Sequence, residues 1–137
     1  MNLKKEKERD FLLAYESELK ALGDDAPFVP RDEVILRTLH SGRGGFYISF
    51  GEAARRVRRI FNRLPLCCKN EQKVAMYQEL ARLVDEYLQR HTGASFRDAL
   101  FTVLAEKKAS RFFFGVQTGR LILYKNQHRN RNLRCAV

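Results

Sequence analysis

The feature that most restricts how this chain can fold is that it matches itself. Displaced by 66 residues without a gap, it sets Arg31-Asp32 on Arg97-Asp98, Val34 on Leu100 and Phe46-Tyr47-Ile48 on Phe112-Phe113-Phe114. The same displacement sets small Ala53 on Gly119, and Val57 on Leu123. An amphipathic stretch precedes each copy. The order of elements repeats along with the letters, so each copy is expected to build a similar unit with a similar buried face.

Each copy reads as helix, helix, short extended piece, helix. In the first, Phe11, Leu12, Tyr15, Leu19 and Leu22 recur at helical spacing and predict a helix over about residues 3–22. "GDDAPFVP" breaks it. Pro30 opens a second helix with Asp32 and Glu33 in its first turn, where carboxylates meet the positive end of the helix dipole. Val34, Ile35, Leu36 and Leu39 give that helix a buried face, and "SGRGG" stops it. Ser49, with Glu52 three residues on, forms a capping box for the third helix. In the second copy Val74, Tyr77, Leu80, Val84, Tyr87 and Leu88 mark a helix over 70–90, and "HTGAS" separates it from the next, which Ser95 and Asp98 cap. A last helix is predicted from about Val116 to Asn126. Val116, Gly119 and Leu123 match the buried positions, and Leu121, Ile122 and Tyr124 make the rest of it apolar. Such a helix is expected to be buried on all sides, at the centre of the fold or in a dimer contact.

These readings predict a mainly α fold. A single compact helical domain spans residues 1–137, built of two related helix–helix–short strand–helix halves over about 3–64 and 70–128. Pro65 and "CCKN" mark their join, residues 129–137 form a basic tail, and segments 46–48 and 112–114 are placed to pair as a tiny two-stranded sheet.

The charge balance is lopsided, with 26 Lys and Arg against 16 Asp and Glu, a formal +10. That field favours polyanions: nucleic acid first, then anionic membranes, then acidic proteins. Much of the charge sits on one helix. On a helical wheel of residues 50–64, Phe50, Ala53, Ala54, Val57, Ile60, Phe61 and Leu64 fall within an arc of about 120°. Arg55, Arg56, Arg58, Arg59 and Arg63 fall opposite, within about 160°. No acid interrupts that face after Glu52. A solvated face ordinarily mixes signs, as helix 70–90 does with Glu71, Lys73, Glu79, Arg82, Asp85 and Glu86. Two readings compete. The arginines contact phosphates, for which the guanidinium fork is suited, or they pair with acids of a neighbouring helix such as Glu6 and Glu16. No Asp or Glu follows Glu106, and "KNQHRNRNLRCAV" adds Arg129, Arg131 and Arg134, the composition of a nucleic-acid-binding arm.

Other chemistry finds little footing. Cys67, Cys68 and Cys135 suit a reducing compartment, and His40, His91 and His128 are scattered, with no CxxC or HxxxH, so no metal is expected. There is no Walker A loop, dinucleotide fingerprint or nucleophile elbow. Asp24-Asp25 and Asp32-Glu33 could be imagined as a nuclease metal pair, but turn and helix-start chemistry accounts for them more simply. A helix-turn-helix needs a turn soon after "ISFGEAARRV", where the helical pattern instead continues. Phe46, Tyr47, Phe112 and Phe113 could stack on bases, although clusters of this kind more often form core. The charged N-terminus "MNLKKEKERDFLLAYESEL" lacks the apolar stretch of a signal peptide, and the longest apolar runs fall far short of the ~20 residues that span a bilayer. The expectation is a cytoplasmic protein, monomeric or homodimeric, that leaves membranes alone.

The order "FYIS…AARRVRRI", "CCKNEQKVAMYQELARLV", "ASRFFFGVQTGRLILYKN" resembles a group of small basic proteins from gut anaerobes and their mobile elements. They repeat an Arg-Phe-Tyr-(Val/Ile)-Ser motif ahead of an Ala-containing helix. The likeness covers about residues 31–126 and implies a setting rather than an activity. Copy two departs from it at Gly115, where the capping serine would stand. The expected function is non-enzymatic nucleic-acid binding without a cofactor, through Arg55, Arg56, Arg58, Arg59, Arg63, Arg129, Arg131 and Arg134. The rival is an assembly component of a phage or mobile element, whose basic face docks an acidic protein.

Overall fold

The computed structural model describes residues 2–135, with side chains as far as residue 130. Within them lie helices α1 (Leu3–Leu22), α2 (Arg31–Leu39), α3 (Phe50–Phe61), α4 (Glu71–Arg90), α5 (Phe96–Glu106) and α6 (Val116–Cys135). A 3-10 turn, Gly23–Phe28, links the first two.

Four of these helices start by the same device. The side-chain oxygens of Asn2, Ser49, Asn70 and Ser95 accept from the backbone N–H three residues on, at 3.1–3.3 Å. Each satisfies one of the donors that a helix leaves unpaired in its first turn. Helix α3 ends earlier than the wheel implies. Arg63 adopts φ 56°. There Leu64 N donates to Arg59 O at 2.8 Å and Arg63 N to Ile60 O at 3.0 Å, which closes the helix in a Schellman turn.

The packing partners are not those that chain order suggests. Helix α1 packs on α2, and both pack on α6; α4 packs on α5, and both pack on α3. Each third helix therefore leaves the pair it follows and covers the other pair. One core is made by Ala53, Val57, Tyr77, Leu80, Val84, Leu100 and Val103, with Phe46 and Ile48 inserted. The second is made by Phe11, Ala14, Ile35, Leu39, Ile122 and Leu123, with Phe112 and Phe114 inserted. The segments 3–64 and 70–128 are thus not each closed around a core of their own.

The chain makes this exchange where its two aromatic segments cross. Ala109 N donates to Gly44 O at 3.0 Å, and Phe112 N donates to Leu39 O at 2.8 Å. The Tyr47 and Phe112 rings stack with centroids 6.3 Å apart, as do those of Phe46 and Phe113. A Cβ on Gly44 would sit 3.0 Å from the Phe112 ring, so the backbone there passes directly against an aromatic face. The Tyr47 hydroxyl donates to Asp10 Oδ2 at 2.7 Å and ties the crossing to α1.

Two expectations are corrected. The two-stranded sheet does not form: among the described residues there is no strand. The aromatic side chains fill the space between the two backbones, which cross with two isolated hydrogen bonds and do not run side by side in a ladder. The last helix is not buried all round, because α1 and α2 cover one side only. Ile122 and Leu123 are buried, while Leu121 is 54% and Tyr124 63% exposed. Gly119 makes the close approach on the covered side, where a Cβ would lie 2.8 Å from Ile35 Cγ2 and 3.1 Å from Phe11 Cζ. Helix α6 continues to Cys135, through residues 129–135 of the basic stretch, which has neither Gly nor Pro to end it.

Candidate nucleic-acid interface

The five arginines of the α3 region divide into two pairs and Arg63, which stands apart. Arg56 Nη1 donates to Leu66 O at 2.5 Å, and its guanidinium lies 5.2 Å above the Tyr77 ring. Arg59 Nε donates to Pro65 O at 2.6 Å, and its Nη2 reaches Cys67 Sγ at 3.9 Å. Both side chains are half-buried. They fold the 62–70 connection back onto α3 by supplying charged donors to carbonyls that have no helical partner. Both side chains hold the loop in place. Behind them the Tyr77 hydroxyl donates to Glu52 Oε1 at 3.1 Å; burial, and then this hydrogen bond, raise its pKa above the ordinary tyrosine value.

Arg55 and Arg58 face the other way, toward α5, and both are exposed. There they meet Arg97, from the first turn of α5. Together with Phe50, Gly51 and Ala54 the three line an open basin of about 470 Å³ that has no carboxylate in its wall. Two of the guanidiniums lie over aromatic rings. Arg58 lies 4.8 Å above Phe96, and Arg97 lies 5.7 Å above Phe50. Each helix thus supplies the ring under the other's cation. Phe61 meets Phe96 edge-on, with ring centroids 5.8 Å apart.

The ion pairs of the described residues lie elsewhere: Arg9–Asp10, Arg37–Glu33, Arg82–Glu86, Arg120–Asp32 and Lys125–Glu8. The candidate acids Glu6 and Glu16 belong to α1, which packs on α2 and α6 and makes no contact with α3. Asp32, considered above as a metal ligand, receives both arms of the Arg120 fork. Those hydrogen bonds hold its carboxyl below the usual carboxylate range. No cluster of three His, Cys, Asp or Glu among the described residues is arranged to hold a metal ion.

The remaining residues expected at the site are not gathered with Arg55 and Arg58. Arg63, beyond the helix end, lines a different depression with Ile60, Leu66 and Val74. Arg129 borders a groove between α1 and α6 where Glu6, Glu8 and Glu16 oppose Lys5 and Arg9. Arg131 and Arg134 are on α6, with side chains outside the described residues. The aromatics Phe46 and Phe112 are buried, and Tyr47 and Phe113 are half-buried against them, so these rings are core. Sequence reasoning missed Arg97. Its signal was present in the alignment of Arg97-Asp98 with Arg31-Asp32, but it stands alone on its helix and joins a cluster only through the packing of α3 on α5. Among the described residues no helix is long and apolar enough to cross a membrane.

Comparison with models of known protein families, with curated proteins and with solved structures finds no match.

Proposed function

We propose that this protein binds nucleic acid without catalysing a reaction on it, through phosphate contacts from Arg55, Arg58 and Arg97. The observation that carries the reading is the basin itself: three exposed guanidiniums around one concavity, with no carboxylate in ion-pairing distance among the described residues. The three are exposed, so water screens their mutual repulsion, and with no carboxylate in the wall they stay available to an anion. The overall +10 would draw a polyanion toward the surface.

The self-similarity of the chain adds to this reading, if the two helix triplets are taken as related halves. Arg55 and Arg58 then correspond to Leu121 and Tyr124 on α6, and the counterpart of Ala54 is Arg120, which is neutralised by Asp32. The other face would keep Arg31, the counterpart of Arg97, and would lack the two arginines that α3 contributes. That pair is then a property of the α3 face and is not demanded by the fold.

The test is the salt dependence of binding. Each arginine that neutralises a phosphate releases condensed counterions, so log affinity falls with log salt by about 0.9 per contact on duplex DNA and about 0.7 on single strands. The Arg55→Gln/Arg58→Gln/Arg97→Gln variant is expected to flatten that slope by about two to three units with little change in melting temperature. Arg56→Gln and Arg59→Gln are expected to do the reverse, lowering stability by about 1–3 kcal/mol and leaving the slope in place. A protein that binds neither DNA nor RNA at low salt would overturn the proposal, and loss of an acidic protein partner in the triple variant would favour the assembly reading.

A further inference from the structure

Gly51 is the residue of the basin that its own fold does not explain. It lies inside helix α3, where glycine is the second-worst helix former. Gly119 of α6 is required by the side chains of Ile35 and Phe11, which crowd it. Gly44 is required by the ring of Phe112, and Gly23, Gly42 and Gly93 by their positive φ. At Gly51 the φ is ordinary, and a Cβ would meet nothing within 4 Å. The missing side chain leaves the basin open, and Gly51 and Ala54 are the small residues of its α3 lining.

In the same basin two of the cations sit over rings, Arg58 at 4.8 Å from the centre of Phe96 and Arg97 at 5.7 Å from that of Phe50. The arginine guanidinium is planar, and an unpaired nucleobase stacks on such a plane. A base inside a duplex has both faces covered by its neighbours and offers only its edges in the grooves. The basin has the size of a small-molecule site, which one extruded nucleotide could enter and a double helix could not.

Building on the nucleic-acid reading above, we propose that the ligand of this basin is single-stranded nucleic acid. An unpaired base lies against the Arg58 and Arg97 planes beside Gly51 and Ala54, and Arg55 takes the adjoining phosphate. Sequence preference is weak, because stacking accepts any base.

The test compares three fluorescent probes of equal length by anisotropy at about physiological ionic strength: oligo-dT, a DNA duplex, and an abasic deoxyribose-phosphate strand. Oligo-dT is expected to bind more tightly than the abasic strand by about ten- to a hundredfold, the scale of one stacked base, and more tightly than the duplex. The Arg58→Lys/Arg97→Lys variant keeps both charges and loses both planes. It is expected to retain the salt slope and lose the preference for oligo-dT over the abasic strand. Gly51→Glu fills the basin with a carboxylate in the first turn of α3, where an acid and a better helix former stabilise the helix. It is expected to lose oligo-dT binding at least tenfold with a melting temperature no lower than the wild type's. Equal affinity for oligo-dT and the abasic strand, a duplex bound as tightly as oligo-dT, or oligo-dT binding untouched by Gly51→Glu would each overturn the inference while leaving nucleic-acid binding intact. Failure of all three probes at low salt would instead overturn the function from which it starts.

Discussion

Tyr47 holds the crossing of the two aromatic segments to α1 through one hydroxyl, donated to Asp10 at 2.7 Å. Burial, and then that hydrogen bond, push its pKa well above the ordinary tyrosine range. Because the folded-state value is the higher one, the contribution to stability is whole below about pH 10 and is lost as the pH rises further, where the unfolded chain gives up the proton first. Tyr47→Phe is expected to cost about 1 kcal/mol at neutral pH. It should also make the loss of stability above about pH 10 shallower, as read from urea midpoints at neutral and alkaline pH. Arg63 offers the opposite case, a residue whose replacement should help. Its φ of 56° is a conformation that glycine adopts freely. Arg63→Gly is expected to raise the urea midpoint by the equivalent of up to about 1 kcal/mol.

At the scale of a helix, α3 and α6 each contain one glycine, and the same substitution should act oppositely on the two. Gly119→Ala drives a methyl group into Ile35 and Phe11 and is expected to cost about 1–3 kcal/mol. Gly51→Ala enters open space and is expected to gain about 0.5–1 kcal/mol from helix propensity alone. Thermal melts of the two variants would check the signs. The limits of these helices were largely legible beforehand, because Ser49, Ser95 and Pro30 act locally and a helix start is settled within a few residues. The end of α3 was not. Nothing in the letters requires Arg63 to turn left-handed, and the wheel carried Leu64 onward. The arginine face was legible as a face, but its division between loop contacts and an exposed basin was not. Arg56 and Arg59 are claimed by carbonyls of a loop that a wheel does not contain, and Arg97 joins from a helix whose neighbour depends on tertiary packing. The fate of α6 was misread for a related reason. Apolar letters at Leu121 and Tyr124 show what would favour burial, but whether another element arrives to cover them is decided elsewhere in the chain.

Across the whole molecule, the two helix pairs are covered by elements at very different distances along the chain. The triplet α3–α4–α5 is contiguous in sequence, whereas α1–α2 waits for α6, separated from it by everything between. This arrangement bears on the order of events when the chain folds. Contacts between neighbours in sequence close with a small loss of chain entropy, and distant ones close late. The core around Val57 is therefore expected to be built into the transition state, and the docking of α6 to follow it. Val57→Ala and Leu123→Ala should each cost about 1–4 kcal/mol at equilibrium. Stopped-flow kinetics should then separate them, the first mainly slowing folding and the second mainly speeding unfolding. Although the cores are two, α6 cannot dock until segment 107–115 has threaded past segment 43–49, and that crossing is rigid only when both cores are formed. Heat should accordingly melt the protein in one cooperative step, with backbone and tyrosine signals changing together. Leu123→Ala would lower the temperature of that shared step and would not release a half that melts alone.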